Sequence, residues 1–294
     1  MTTLQHKIDF AVVFRVKNAN PNGDPLNGNR PRTDYDGYGE VTDVCIKRKI
    51  RDRLLERWVA KGRKEDGNMI FVQSDDRKED DASSLRSRAE AALGNKFGSS
   101  ETRKLACERW FDVRAFGQLF ALNTKSAKKK KDHQDQEDDT GMSIGIRGPV
   151  SVQSAFSVEP VSQLVTSTQI TKSVSGEGDG SKRGSDTMGM KHRVDRGIYV
   201  FFGSMNPQLA EKTGFSDADA QAIEQVLPKL FENDASSARP EGSMEVLKVA
   251  WWQHNCKAGQ YSSAKVHRTL TVNPDGSINL GPLNGLTPKV IDGF

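Results

Sequence analysis

A stretch dense in Asn, Gly and Pro, NANPNGDPLNGNRPRTDYDGYGEVTDV, joins an alternating strand to a strongly basic helix, and few folds accommodate such a joint. Loops this long inside a compact domain are uncommon and are either functional or disordered. This one is pinned at both ends by regular elements, which argues for function. Its backbone amides, its Asn side chains, and Arg30 and Arg32 suit an anionic polymer. A helix beginning at Thr42 or Asp43 adds unpaired N–H groups and a positive dipole end.

On the N-terminal side, Ile8, Phe10, Val12, Phe14 and Val16 alternate with Asp9, Ala11, Val13, Arg15 and Lys17. That pattern predicts a strand with one buried face. On the other side, Ile46, Ile50, Leu54 and Trp58 form an i,i+4 stripe that predicts a helix over 44–61, ended by Gly62. Residues 62–141 change character, with short helical pieces at 84–92 and 101–110 and an apolar-free block, KKKKDHQDQEDD, at 128–139. The block reads as disordered or a solvated loop, and the whole region as an insertion.

Residues 144–161 read as strand broken at Gly148-Pro149, and 166–172 and 191–203 as two further strands around a Gly/Ser/charge tip at 173–186. This predicts a projecting β-hairpin. An amphipathic helix over 216–230, kinked or ended by Pro228, precedes a strand over 245–252 and a strand-poor C-terminal stretch. Without the two inserts the order is βαββαβ, an α+β plan of the RRM-like or ferredoxin-like kind.

Composition narrows the chemistry. The 294 residues carry a net charge of only +4, so the distribution of basic clusters says more than the total. Cys45, Cys107 and Cys256 lie far apart without a C-x-x-C pair, and His6, His133, His192, His254 and His267 lack metal-ligand spacing. That excludes a Cys-based zinc site and a disulfide framework and fits a reducing cytoplasm; no cofactor is expected. The N-terminus is neither signal peptide nor anchor, and no apolar run has membrane-spanning length, so no membrane partner is expected.

Several ordered blocks carry a resemblance: NPNGDP (20–25), NRPRTD (29–34), TDVCIKRKIRD (42–52), DVRAFG (112–117), GIRGPV (145–150) and TMGMKHRVDRGIYV (187–200). Together they resemble the backbone subunit of the type I-C CRISPR Cascade complex, in the RAMP superfamily. The resemblance implies a palm made of residues 1–61, 144–165 and 191–294, the last with a C-terminal extension. It further implies a helical "fingers" insertion over 62–143 and a "thumb" hairpin over 166–190.

The implied function is non-catalytic binding of a CRISPR guide RNA by copies that polymerise head-to-tail, with target DNA reached through the guide and other Cascade subunits as partners. Lys47, Arg48 and Arg51, with Arg30 and Arg32, would hold phosphates, and Thr42 and Asn20 would add hydrogen bonds near the helix start. Gln169, Thr171 and Met188 would contact a displaced nucleotide, with Lys191 among the basic residues of the hairpin.

The residues alone leave alternatives open. The basic helix also reads as an ordinary solvated face, and RGIYVFFG as a buried central strand rather than a base-stacking box. Asp24, Asp34, Asp36 and Asp43 lie in or beside the loop, as a metal-dependent ribonuclease would need. Turn and capping roles explain them equally well. A RAMP-type endoribonuclease that processes the guide precursor is the other alternative, although no His lies in the matched loop blocks.

Overall fold

The alternating segment forms β1 (Ile8–Ala19) in the computed structural model, which describes residues 2–63, 67–121, 143–161, 164–171 and 187–294. The charge block at 128–139 and the hairpin tip at 173–186 lie outside the described residues. After β1 the loop folds on itself through β2 (Gly23–Asp24) and β3 (Arg30–Pro31), which pair antiparallel. A short strand, β4 (Tyr38–Val41), then leads into α1 (Asp43–Ala60). Thr42 is the N-cap of α1, its side chain accepting from Cys45 N–H, and Ile46, Ile50, Leu54 and Trp58 are all buried.

The insertion contains α2 (Leu85–Leu93), α3 (Thr102–Arg109), α4 (Phe111–Phe116), β5 (Gly117–Ala121) and β6 (Ser143–Arg147). Phe71, Ala89, Trp110, Val113, Phe120 and Ile146 give it an apolar cluster of its own. Because β6 pairs with β5 and Ile146 joins this cluster, the insertion's packing runs across the boundary expected at 143/144.

The rest of the chain supplies β7 (Val150–Val152), β8 (Ala155–Pro160), β9 (Leu164–Thr171) and β10 (Thr187–Met205). There follow α5 (Pro207–Thr213), α6 (Asp217–Val226), β11 (Met244–Gln253), α7 (Ser263–His267), β12 (Leu270–Val272), β13 (Ile278–Leu280) and β14 (Lys289–Asp292). The main sheet is antiparallel and runs β14-β11-β1-β10-β8-β4, with β7 and β9 also paired to β10. β10 is therefore central, as its doubly apolar sequence requires.

One face of the sheet packs Phe10, Val12, Phe14, Tyr199, Phe201 and Trp251 against α1 and α6. The second face is the main departure from the sequence reading. Asp9, Ala11 and Val13 are buried too, because the C-terminal segment lays Val266, Leu270 and Leu286 over them. That segment was expected to be strand-poor, yet it forms three short strands, and β14 extends the sheet. Asn18 sits at φ 52° and skips its own pairing with β10, while the register holds from Lys17↔Arg196 to Ala19↔Val194. Gly39 lets β4 approach the core, since a Cβ there would sit 2.2 Å from the Tyr199 hydroxyl.

Candidate nucleic-acid interface

The long loop is a built object. Asn22 Oδ1 accepts from both Thr42 N–H and Thr42 Oγ1, each at 2.9 Å, which ties the loop to the start of α1. Asn20 is buried; its Nδ2 donates to the Asn29 carbonyl at 2.7 Å and its N–H to the Ala238 carbonyl at 2.9 Å. Among the described residues Asn20 Oδ1 has no hydrogen-bond partner. Arg32 is half-buried and faces Asp24 at 3.4 Å, whereas Arg30 is exposed.

Most cations of α1 are engaged by acidic or polar partners from within the chain. Only Val44 and Ala60 of this helix are exposed. Lys47 pairs with Asp43 at 2.9 Å. Arg48 bridges Asp52 at 2.9 Å, Ser74 at 2.9 Å and Asp234 at 3.3 Å. Lys49 is buried against Asp234 and over the Phe231 ring. Arg51 donates through Nε to Asp112 at 2.9 Å and lies 5.1 Å from the Phe116 ring centre.

These pairs dock the insertion and the 232–240 segment onto the helix. Burial works against the Asp234 carboxylate, yet Lys49, Arg239 and Arg48 together hold its pKa below the ordinary value. Burial raises the Asp52 pKa against the pull of Arg48. The i,i+4 pair Lys47 and Arg51 thus does not act as one unit: Lys47 retains partial exposure, and Arg51 is spent on Asp112.

The uncompensated charge lies elsewhere. Lys17 on β1 and Arg196 on β10 sit directly opposite in register, both exposed. Among the described residues neither has an acidic partner, and the same holds for Arg30, Lys191 and Arg193. β3 packs on β10, which brings the Arg30 segment to the same end of the sheet. Like charges set opposite on adjacent strands repel, so the arrangement favours a counter-anion. Among the described residues Arg193 Nε is buried without a partner, Met190 is exposed, and Asp195 is the acid within this run.

Lys191 pairs in register with Ser167, Gly189 with Gln169 and Thr187 with Thr171, while Met188 lies opposite Ile170. The side chains of Gln169, Thr171 and Met188 lie outside the described residues. Sequence reading passed over Lys17, Arg193 and Arg196. The available signal was Lys17 closing an alternating strand and two arginines inside the block KHRVDRG.

Three of the four loop aspartates, Asp24, Asp34 and Asp43, have structural employment. Asp24 Oδ1 accepts from Leu26 N–H at 3.1 Å, and Asp43 pairs with Lys47. Asp34 Oδ1 accepts from Asp36 N–H at 3.0 Å and Tyr38 N–H at 2.8 Å. Among the described residues no three His, Cys, Asp or Glu side chains converge as metal ligands would. No described helix is long and apolar enough to cross a membrane.

The architecture is that of an α+β protein: a large antiparallel sheet with helices on one face, a C-terminal cover on the other and, among the described residues, positive charge without acidic partners at one end. The chain belongs to the Cas7 family, for the family model of CRISPR-associated protein Cas7 matches residues 6–284. It is 26% identical over 300 residues to the CRISPR-associated protein Cas7 of Haloferax volcanii, covering 99% of this chain and 82% of that protein. Among solved structures, a chain of a "CRISPR RNA-guided surveillance complex, pre-nicking" is similar at 16% identity and a TM-score of 0.43, covering 84% of this chain and 75% of that one. A chain of a "CRISPR RNA-guided surveillance complex" is similar at 16% identity and a TM-score of 0.40, covering 92% and 77%.

Proposed function

We propose that this protein is a non-catalytic, CRISPR RNA-binding backbone subunit of a Cascade-type surveillance complex, of the type I-C kind. Membership of the Cas7 family supports the setting. The observation that carries the binding role is the opposed, unpaired couple of Lys17 and Arg196, with Arg30, Lys191 and Arg193 beside it. Such a patch neutralises a phosphate backbone and releases its counterions.

In this reading β1, α1, β8, β10, α6 and β11 are an RRM-like (ferredoxin-like) palm. The C-terminal segment fills the sheet face that would otherwise stack bases, so the guide runs along the end of the sheet at the root of the β9–β10 hairpin. Lys47 contributes from the start of α1, while Asn20, Arg32 and Thr42 hold the loop in shape. Arg48 and Arg51 serve as positioning residues. Gln169, Thr171 and Met188 contact a displaced nucleotide, and the hairpin meets the next copy in a head-to-tail filament. Target DNA is then read by pairing with the guide, while the protein recognises backbone and shape, as in other guided effectors. The complex works in the cytoplasm.

The test is size-exclusion chromatography with light scattering, with and without a guide-length RNA, followed by gel analysis of that RNA. A large regular particle with intact RNA is expected. A monomer that leaves the RNA shortened at one site would make the protein a processing endoribonuclease. Magnesium-dependent cleavage lost on Asp34→Ala or Asp36→Ala would make it a metal ribonuclease.

A further inference from the structure

We infer that Tyr35 is a stacking platform for an unpaired nucleobase, an inference that rests on the RNA-binding reading above. The ring is fully exposed at the tip of the long loop, and no hydrogen bond or ring contact holds it among the described residues. Isolated exposed apolar side chains are ordinary on protein surfaces. This one stands on a turn that is fixed from several directions.

Asp34 Oδ1 closes the turn by accepting from Asp36 and Tyr38 N–H, and Asp34 N–H donates to the Tyr38 carbonyl at 2.9 Å. Thr33 bridges Gly39, and Gly37 sits at φ 84°, where a Cβ is disfavoured. The Gly37 carbonyl accepts from Val161 N–H at 2.9 Å, and Tyr38 pairs with Pro160 of β8. A rigid aromatic offers contact area at small entropic cost, as in other recognition loops.

Its location gives the occupant. Val161, bonded to the turn, lies against Gly197, where an added Cβ would sit 3.2 Å from Val161 Cγ1. Tyr38 pairs with Pro160 of β8, and Ser157 of β8 pairs with Tyr199 of β10, so the turn stands at the end of the sheet that carries Lys17 and Arg196. An aromatic face at the same end of a sheet as a group of exposed cations is an arrangement that holds single-stranded nucleic acid: the cations take the backbone and the ring takes a base. The carboxylate of Asp34 is turned into the turn itself, which leaves Asp36 as the acid at the tip.

The experiment measures binding of two labelled oligomers of equal length, oligouridylate and an abasic ribose-phosphate chain, to the full protein and to Tyr35→Ala, Tyr35→Phe and Tyr35→Trp. Tyr35→Ala is expected to bind oligouridylate about tenfold or more weakly. Its affinity for the abasic chain should equal that of the wild type, and the Phe and Trp variants should retain base binding. Equal affinity of Tyr35→Ala and wild type for oligouridylate would overturn the inference, as would equal loss on both oligomers. Loss of RNA-free self-association in Tyr35→Ala, read by light scattering, would reassign the ring to a contact with a second copy. A wild type that binds neither oligomer would overturn the RNA-binding reading itself, and the role of Tyr35 with it.

Discussion

Arg51 and Asp112, 61 positions apart, meet at 2.9 Å with the guanidinium almost buried and the carboxylate wholly so. Asp112 also accepts from Phe71 N–H at 2.7 Å and Val72 N–H at 3.0 Å. Two residues further along the same short helix, Arg114 reaches the other way and grips Asp219 of α6 at 2.7 and 3.0 Å. The DVRAFG block is thus a two-way staple. Its acid takes a cation from the first helix, and its cation takes an acid from the sixth.

Breaking one arm strands a buried charge. Arg51→Ala is expected to destabilise the protein by about 3 kcal/mol, the low end for a severed buried pair because two backbone donors remain on Asp112. Thermal and urea unfolding would measure this. A phosphate-holding Arg51 would behave in the opposite manner, with stability preserved and a shallower salt dependence of RNA binding.

Lys17 and Arg196 are exposed, so their loss should leave the fold alone. Charge reversal of both is expected to weaken binding of every RNA sequence alike and to reduce the log–log salt slope by about 1.4, at about 0.7 for each single-strand phosphate. Loss restricted to one sequence would speak for base reading instead.

Around Asp9, acid pH should loosen the C-terminal cover. Asp9 is fully buried, bonded to His254 Nε2 and to Lys7 Nζ at 2.9 Å each, and faces His267 at 3.6 Å. Burial holds the His267 pKa below its ordinary value despite Asp9, so the folded protein favours the neutral ring. The unfolded chain then binds more protons, and stability present above the ordinary histidine range is lost as pH falls through the folded pKa. Urea titrations from neutral pH downwards should show this decline, and His267→Gln should flatten it. A rise in stability on acidification would contradict the assignment.

Asp34 distinguishes architecture from catalysis. Asp34→Asn keeps the side-chain oxygen that accepts from Asp36 and Tyr38 N–H, whereas Asp34→Ala removes it. The alanine variant is expected to increase proteolysis and hydrogen exchange at the turn. Neither variant should alter the integrity of a guide-length RNA incubated with magnesium.

The local elements could be read from the residues because the information was local. Alternation over 8–16 set the first strand, and the stripe Ile46, Ile50, Leu54 and Trp58, ended by Gly62, set the helix to within a residue at each end. Side-chain periods of two and 3.6 are properties of a short window. The Asn- and Gly-rich joint was recognisable as a special loop for the same reason.

What became of the charges was decided only by the tertiary structure. Six cations on one helix looked like a surface until Asp112, Asp234 and Gln225, far along the chain, arrived to occupy Arg51, Lys49 and Arg57. The polar side of β1 looked solvated until Val266, Leu270 and Leu286 covered it and His254 met Asp9. A sequence states how many charges a segment carries. Whether each remains free depends on desolvation and on partners supplied from elsewhere, and among the described residues Lys17 and Arg196 are two that acquire no acidic partner.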